Sequence, residues 1–133
     1  MASSFQLRVV TPSRAVVDQQ VTEVTAPGTA GEFGVLPDHA NFLTSLDSGR
    51  LIYKDTQGAH QLAVRDGFAE VSDNVMTVLT EAAQQPAEVD TAAARADLQA
   101  AEAELAKLAP IDPEYVAADA KRRWAQARLD IAK

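Results

Sequence analysis

The spacing of hydrophobic residues divides the chain into two parts. From Phe5 onward, apolar and polar residues alternate in short runs broken by turn residues, a pattern typical of β-strands. Past Pro86, alanine is abundant, glycine is absent and apolar residues recur every three or four positions, which is typical of α-helices. We therefore predict a boundary near Gln85–Glu88, with a β domain at residues 1–86 and a helical segment at residues 87–133.

The β half is expected to contain several short strands joined by tight turns. Asp66-Gly67 and Asp73-Asn74 tolerate positive φ and predict turns, whereas Asp55-Thr56-Gln57-Gly58 predicts a longer hairpin loop. The mixed pattern of the last strand predicts burial on both of its faces. Many short strands at this spacing favour an antiparallel sandwich or a flattened barrel. The predicted strands are Phe5–Val10, Ala15–Ala26, Phe42–Leu46, Arg50–Asp55, Gln61–Arg65, Gly67–Ser72 and Val75–Thr80.

The helical half predicts two helices that form an antiparallel hairpin. Asp90 is placed to cap the first helix, and Asp112 followed by Pro113 is placed to begin the second. Each helix has one apolar stripe, and we expect the two stripes to face each other. The stripes are Ala94, Leu98, Ala101, Leu105 and Leu108 in the first helix, and Ala117, Ala120, Trp124, Ala127 and Ile131 in the second. Because alanine buries little area, the hairpin should be the less stable half, and it either docks on the β domain or is completed by another protein.

Composition excludes several classes of function. The chain has no cysteine, which excludes thiolate catalysis, disulfides and cysteine-ligated metals. Its net charge of -7 disfavours nucleic acid as a partner. No apolar run approaches the roughly 20 residues that span a bilayer, and the first residues do not form a secretory signal, so a cytosolic compartment is expected.

The sequence offers no pattern for catalysis or for a metal site. The segment Gly28–Gly34 lacks the lysine and the helix of a phosphate-binding loop, so its glycines are interpreted as turn or bulge residues. His39 and His60 are the only histidines, and neither lies in a metal-ligand pattern. No Gly-x-Ser-x-Gly elbow is present. We do not expect this chain to be an enzyme by itself.

A basic cluster, Lys121-Arg122-Arg123 with Arg128, surrounds Trp124 in the second helix. Two interpretations remain open at this stage. The side chains either lie on the exposed face with their stems covering apolar surface, or bind an anion or an acidic partner surface through the forked donors of arginine.

The stretch from Gly31 to Ala40 resembles the Gly-Glu-x-Gly-x-x-Pro-x-His-Ala signature of the epsilon subunits of bacterial F-type ATP synthases. The opening Phe5–Pro12 and the segments Leu51–Tyr53 and Gly67–Val71 also match, so the resemblance covers essentially the whole chain. It implies an α+β fold, with an N-terminal antiparallel β-sandwich of about ten short strands followed by a C-terminal antiparallel two-helix hairpin.

The resemblance also implies a function and a set of partners. The protein would be a non-catalytic central-stalk subunit that couples the catalytic head to the c ring during proton-driven ATP synthesis, peripheral on the cytoplasmic face of the inner membrane. It implies contact with the gamma subunit and the c ring through Glu32, Phe33, Pro37, Asp38 and His39. The hairpin would either fold on the sandwich or extend and restrain ATP hydrolysis, offering Lys121, Arg122, Arg123 and Arg128 to the alpha and beta catalytic subunits.

Some members of that family bind ATP through an Ile/Leu-Asp-x-x-Arg-Ala motif. Here Val89-Asp90 is kept, but Ala93 stands at the arginine position and Arg95 is shifted by two residues, about 200° around a helix. The candidate ATP ligands are Asp90, Arg95 and Arg128, with ATP as a weak regulatory ligand and no other cofactor. The alternatives are a β-sandwich adaptor or a nucleotide-sensing module outside ATP synthase.

Overall fold

Ten short strands and two helices account for most of the chain. The structure is a computed structural model that describes residues 2–132. The strands are β1 Phe5–Val10, β2 Ala15–Val21, β3 Glu23–Gly28, β4 Gly31–Val35, β5 Phe42–Leu46, β6 Gly49–Asp55, β7 Gly58–Arg65, β8 Gly67–Ser72, β9 Val75–Leu79 and β10 Ala82–Gln84. A single 3₁₀ turn, Pro86–Glu88, leads into α1 Thr91–Ala106 and α2 Pro113–Ile131. The predicted fold class is confirmed.

The strands form one continuous sheet that folds over a single apolar core. Their order is β10-β7-β6-β3-β5-β8-β9-β1-β2, and β4 pairs with β3 outside this path. All pairs are antiparallel except β1 with β9, which run parallel. The inward positions supply the core, whose largest fully buried members include Phe5, Leu7, Leu51, Leu62 and Met76.

The predicted strand Ala15–Ala26 is in fact two strands, β2 and β3, separated at Thr22. The N–H of Thr22 donates to the carbonyl of Lys54 at 2.7 Å, so the chain leaves its pairing with β1 and joins β6 at this point. No glycine or proline marks the corner in the sequence. The interruption therefore depends on a contact with a distant strand and could not be predicted from local pattern.

One predicted turn region is confirmed in part, because Gly28 and Gly31 flank a two-residue turn, and another has a different geometry. The segment Gly28–Gly34 belongs mostly to the hairpin of β3 and β4, in which Gly28 pairs with Gly31. A Cβ atom on Gly28 would lie 2.7 Å from the Gly31 carbonyl oxygen, so glycine is required there by close backbone approach. The predicted long loop after Asp55 is a tight turn, because Asp55 pairs with Gly58.

The last long strand is buried on one face only, so the prediction of burial on both faces is wrong. Met76 and Val78 are fully buried, whereas Leu79 is 54% exposed. On the outward face of β9, Val75 and Thr77 are half-buried and Leu79 is exposed.

Helix α2 lies between α1 and the strands β6 and β7. Ala127 and Ile131 pack against Ala63 of β7. Ala118 and Ala125 are also fully buried, and they lie on the opposite side of α2, toward α1. The helix therefore buries two faces, and the predicted single stripe is wrong for α2.

The buried positions of the two helices match the predicted stripes only in part. In α2, Ala117 is exposed, whereas Ala127 and Ile131 face the sheet rather than α1. In α1, Ala94 and Ala101 are buried as predicted. The error arises because alanine-rich helices carry little contrast between a buried face and an exposed one.

The predicted N-terminal cap of α1 is confirmed, whereas the residue predicted to cap α2 makes a different hydrogen bond. Asp90 accepts a hydrogen bond from the Ala93 N–H through Oδ1 at 3.0 Å, which is the expected cap. Asp112 occupies the N-cap position of α2, but its Oδ2 accepts from the Ala109 N–H at 2.8 Å instead. Asp112 therefore stabilises the connection between the helices.

Two glycines with nearly the same φ provide a matched test of crowding at turns. Gly67 has φ +128°, and a Cβ there would lie 2.0 Å from the Leu79 carbonyl oxygen; Gly58 has φ +126° and open space around it. We expect Gly58→Ala to lower the free energy of unfolding by about 1–3 kcal/mol from backbone strain alone. Gly67→Ala should cost more than about 4 kcal/mol, because backbone must also move. Urea unfolding measures both, and equal losses would contradict the crowding argument.

Candidate functional site

The β3–β4 hairpin presents an exposed carboxylate. Glu32 pairs with Pro27 across the hairpin, and its side chain is exposed. The turn between the two strands is only Thr29-Ala30, and the Thr29 hydroxyl lies 2.7 Å from that of Ser45 on β5. Glu32 is therefore held on a short hairpin that is tied to the sheet, in a position to meet a partner surface.

The loop after β4 is anchored to the turn between β8 and β9. Asp38 has φ 64°, and its N–H donates to Asn74 Oδ1 at 2.8 Å. Asn74 in turn donates through Nδ2 to the Ser4 carbonyl at 2.9 Å. The N–H of His39 donates to the Leu36 carbonyl at 3.1 Å, which closes the loop on itself. This loop has a defined shape despite its exposure.

Three aromatic rings connect the β3–β4 hairpin to the loop that follows β4. Phe42 meets Phe33 edge to face at a centroid distance of 5.4 Å and meets His39 at 5.0 Å. The structure therefore brings Phe33 and His39 together through Phe42, which sequence analysis did not single out. Pro37 is half-buried in the same loop, and Asp38 is exposed beside it.

An exposed apolar patch lies on the outer face of β5, β8 and β9. We define this outer patch as Leu43, Phe68 and Leu79, which are 69%, 57% and 54% exposed. Phe68 pairs with Leu79 in the sheet, so the two side chains adjoin. Beside them is a groove of about 710 Å³, lined by Val10, Thr11, Pro12, Leu46, Asp66, Gly67, Phe68, Leu79, Thr80 and Glu81.

Sequence analysis missed the outer patch, although a signal was available. Side chains two residues apart in a strand lie on the same face of the sheet. Phe68 therefore shares a face with the polar Glu70, and Leu79 shares one with the polar Thr77, which places both apolar residues on the outward face. Exposed apolar residues that cluster in this way on a folded chain mark interaction sites.

The basic cluster of α2 is paired with acidic side chains of the same chain. Arg122 donates to Asp119 Oδ1 through Nε at 2.9 Å and through Nη2 at 2.7 Å. Arg123 contacts the other oxygen of Asp119 at 2.9 Å and Asp47 of the sandwich at 3.1 Å. Lys121 lies 4.0 Å from Glu104 of α1. The cluster thus does not present four free cations in this conformation.

Arg128 departs furthest from the expectation of an exposed cluster, because its side chain is only 11% exposed. It donates to Asp97 of α1 at 2.8 Å, and its guanidinium lies 5.2 Å from the centre of the Trp124 ring. An arginine is well suited to such a site, since its cation can lie near the face of an indole while its N–H groups donate to a carboxylate.

The three candidate ATP ligands do not converge on a common point. Asp90 is used as the cap of α1, and Arg128 is bound to Asp97. Arg95 is exposed and lies two residues before Asp97, about 200° away around α1. In this conformation Asp97 occupies the Nη2 donor of Arg128, which is one of the donors that a phosphate would use.

A second pair of charges holds the segment between the sandwich and the helices. Arg14, in the β1–β2 turn, contacts both carboxylate oxygens of Glu88 at 3.0 and 2.8 Å. This hydrogen bonding lowers the pKa of Glu88, and a further bond from the Gln85 N–H contributes in the same direction. The 3₁₀ turn is therefore attached to the sandwich before the hairpin begins.

Neither a metal cluster nor a membrane-spanning helix occurs in the described part of the chain. Among residues 2–132, no three His, Cys, Asp or Glu side chains are placed to hold a metal ion. Within the same range, no helix is long and apolar enough to cross a membrane.

The family model and the similar proteins point to one family. Residues 4–86 match the family model described as ATP synthase, Delta/Epsilon chain, beta-sandwich domain. The chain is 42% identical over 132 residues to the ATP synthase epsilon chain of Geobacter sulfurreducens, which covers 99% of this chain and 96% of that protein. It is 44% identical to the ATP synthase epsilon chain of Trichlorobacter lovleyi with the same coverage.

Solved structures share the fold at lower identity. A chain in the OSCP/F1/c-ring structure of the Euglena gracilis mitochondrial ATP synthase superposes with a TM-score of 0.80 at 22% identity, covering 98% of this chain and 81% of that one. A chain in the central stalk/c-ring structure of the Tetrahymena thermophila mitochondrial ATP synthase gives 0.63 at 13% identity, with 96% coverage of both.

The ion pair at Glu88 predicts a measurable titration. The pKa of Glu88 is lowered from 4.5, so the pair stabilises the fold above that pH, and the contribution is lost as pH falls through the lowered value. Arg14→Gln should move the Glu88 pKa back toward 4.5, read from its carboxyl resonance in an NMR titration. Arg8→Gln, which removes a looser pair with Asp18, is the control. An unchanged Glu88 pKa in Arg14→Gln would contradict the assignment.

Proposed function

The chain belongs to the ATP synthase epsilon chain family, and from that premise we propose how its surfaces serve a rotary motor. It is a non-catalytic subunit of ATP synthase. In the proposal, residues 1–86 form a central-stalk domain that contacts the gamma subunit and the c ring, and residues 87–133 form a regulatory helical hairpin. The protein would transmit the position of the c ring to the catalytic head during proton-driven ATP synthesis.

The outer patch supports a contact with the gamma subunit. Three large apolar side chains more than half exposed are unfavourable in water, and covering them contributes about 25 cal/mol per Å² buried. The lining of the adjoining groove is mostly apolar but includes Asp66 and Glu81, so a partner with both apolar and basic side chains would fit it. A rotor contact has to transmit torque, and an apolar patch on a rigid sheet is suited to that task.

The β3–β4 hairpin and the loop after it support a contact with the c ring. Glu32 is exposed on the β3–β4 hairpin, which is hydrogen-bonded to β5, and there it would pair with basic groups on the polar loops of the ring. Phe33, Pro37, Asp38 and His39 would form the rest of this contact surface, with the aromatic cluster giving it a fixed shape. In this arrangement the protein lies on the cytoplasmic face of the bacterial inner membrane as a peripheral subunit.

The helical hairpin supports a regulatory role because its basic residues can exchange partners. In the folded form Lys121, Arg122, Arg123 and Arg128 each pair with an acidic group of this chain. In an extended form they would be offered to acidic surfaces of the alpha and beta subunits and would oppose rotation during ATP hydrolysis. The exchange conserves charge pairing, so the free-energy difference between the two forms can be small.

Substitution in the outer patch tests the gamma contact. Phe68→Ser should weaken binding to purified gamma subunit by at least about tenfold, because it removes a large apolar contact from the centre of the patch. Ile111→Ser is the matched control, since Ile111 is 90% exposed at the tip of the hairpin. Equal affinities of the two variants, measured by titration calorimetry, would remove the outer patch from the proposal.

Removal of the helices tests the regulatory role. The catalytic head depleted of this subunit should hydrolyse ATP more slowly after addition of the full chain, and should be unaffected by a chain that ends at Gln85. The shorter chain should still bind gamma, which shows that it is folded. If neither chain slows hydrolysis, the hairpin does not inhibit, and if neither binds gamma, the central-stalk assignment fails.

A further inference from the structure

The helices touch the sandwich through few apolar contacts. The cluster between them consists of Ala63, Ala127 and Ile131, with Val89 and Trp124 partly buried beside it. Two of the three fully enclosed members are alanines, which bury little area and contribute little free energy. A polar contact that contributes only a small free energy can therefore change the fraction of molecules whose helices are docked on the sandwich.

One ion pair provides such a contact between the helices and the sandwich. In the range 2–132, the contact of Arg123 with Asp47, at 3.1 Å, is the single ion pair that joins α1 or α2 to the sandwich. The other ion pairs of the helices, such as Arg128 with Asp97 and Lys121 with Glu104, lie within the hairpin. We call the contact between Arg123 and Asp47 the docking ion pair.

Both sides of the docking ion pair are held in place by the rest of the fold. The N–H of Asp47 donates to the Pro27 carbonyl at 2.9 Å, which fixes the turn between β5 and β6. On the helix, the second Nη of Arg123 contacts Asp119 at 2.9 Å, and the Asp119 side chain is only 19% exposed. Because the guanidinium is oriented before docking, little side-chain entropy is lost when it reaches Asp47.

From these contacts we infer that the docking ion pair sets the fraction of molecules whose helices are packed on the sandwich. Asp47 is the acceptor on the sandwich, Arg123 is the donor on α2, and Asp119 positions the donor. The Arg123 and Asp47 side chains are 43% and 35% exposed, so the pair is partly screened by water and salt. Exposed pairs of this kind change an equilibrium by about two- to fivefold.

A consequence for regulation follows if the proposed function holds. Arg123 cannot contact Asp47 and an acidic surface of a catalytic subunit at the same time. Loss of Asp47 would then favour the extended form and strengthen inhibition, whereas loss of Arg123 would weaken both contacts. The docking equilibrium itself is independent of that proposal and can be measured in the isolated full chain.

The absence of cysteine provides a direct measurement of docking. Ala127 is 2% exposed at the interface, so the introduced thiol in Ala127→Cys reacts with a maleimide only when the helices leave the sandwich. In this background, Asp47→Asn should raise the labelling rate about two- to fivefold, and Asp47→Lys should raise it further by repelling Arg123. Asp18→Asn, which removes a carboxylate from a sandwich ion pair far along the sheet order, should leave the rate unchanged.

A second probe and a salt series separate the docking ion pair from a general loss of stability. Ala63→Cys places the thiol on the strand side of the same interface and should report the same ratios. High salt should reduce the difference between Asp47→Asn and the unmodified sequence. Equal labelling rates with Asp47, Asp47→Asn and Asp47→Lys, or an equal increase with Asp18→Asn, would overturn the inference.

Discussion

The packing of α2 between α1 and the strands β6 and β7 is the contact on which the arrangement of this protein depends. This helix buries two faces, and three of its buried side chains are alanines, Ala118, Ala125 and Ala127. Small side chains allow close approach, but each contributes little apolar burial. The position of the whole hairpin therefore depends on a modest apolar cluster and on charges at its edge.

The helices and the outer patch occupy different strands of the sandwich. The helices rest on β6 and β7, whereas the outer patch lies on β5, β8 and β9, with β3 between the two groups in the sheet order. A partner on the outer patch does not have to displace the helices. The sandwich can thus keep one contact fixed while the hairpin docks or leaves, as the proposed role in a rotary motor requires.

Local sequence pattern predicts those parts of the fold that local physics determines. The turns at Asp66-Gly67 and Asp73-Asn74, the cap at Asp90 and the two-helix tail follow from φ preferences and periodicity. The corner at Thr22 and the two-sided burial of α2 could not be predicted, because both are set by contacts with residues distant in the sequence. The same holds for the surfaces: a motif indicates the loop around Glu32, but only the sheet register assembles Leu43, Phe68 and Leu79 into one patch.

Native-state hydrogen exchange of the full chain most directly tests the division into a stable sandwich and a separable hairpin. The account predicts that amides of α1 and α2 exchange through an opening that leaves β1 and β9 protected, with rates at least about tenfold faster than those of the core strands. Equal opening free energies in the helices and in β1 and β9 would mean that the two halves unfold as one unit, and would contradict the account.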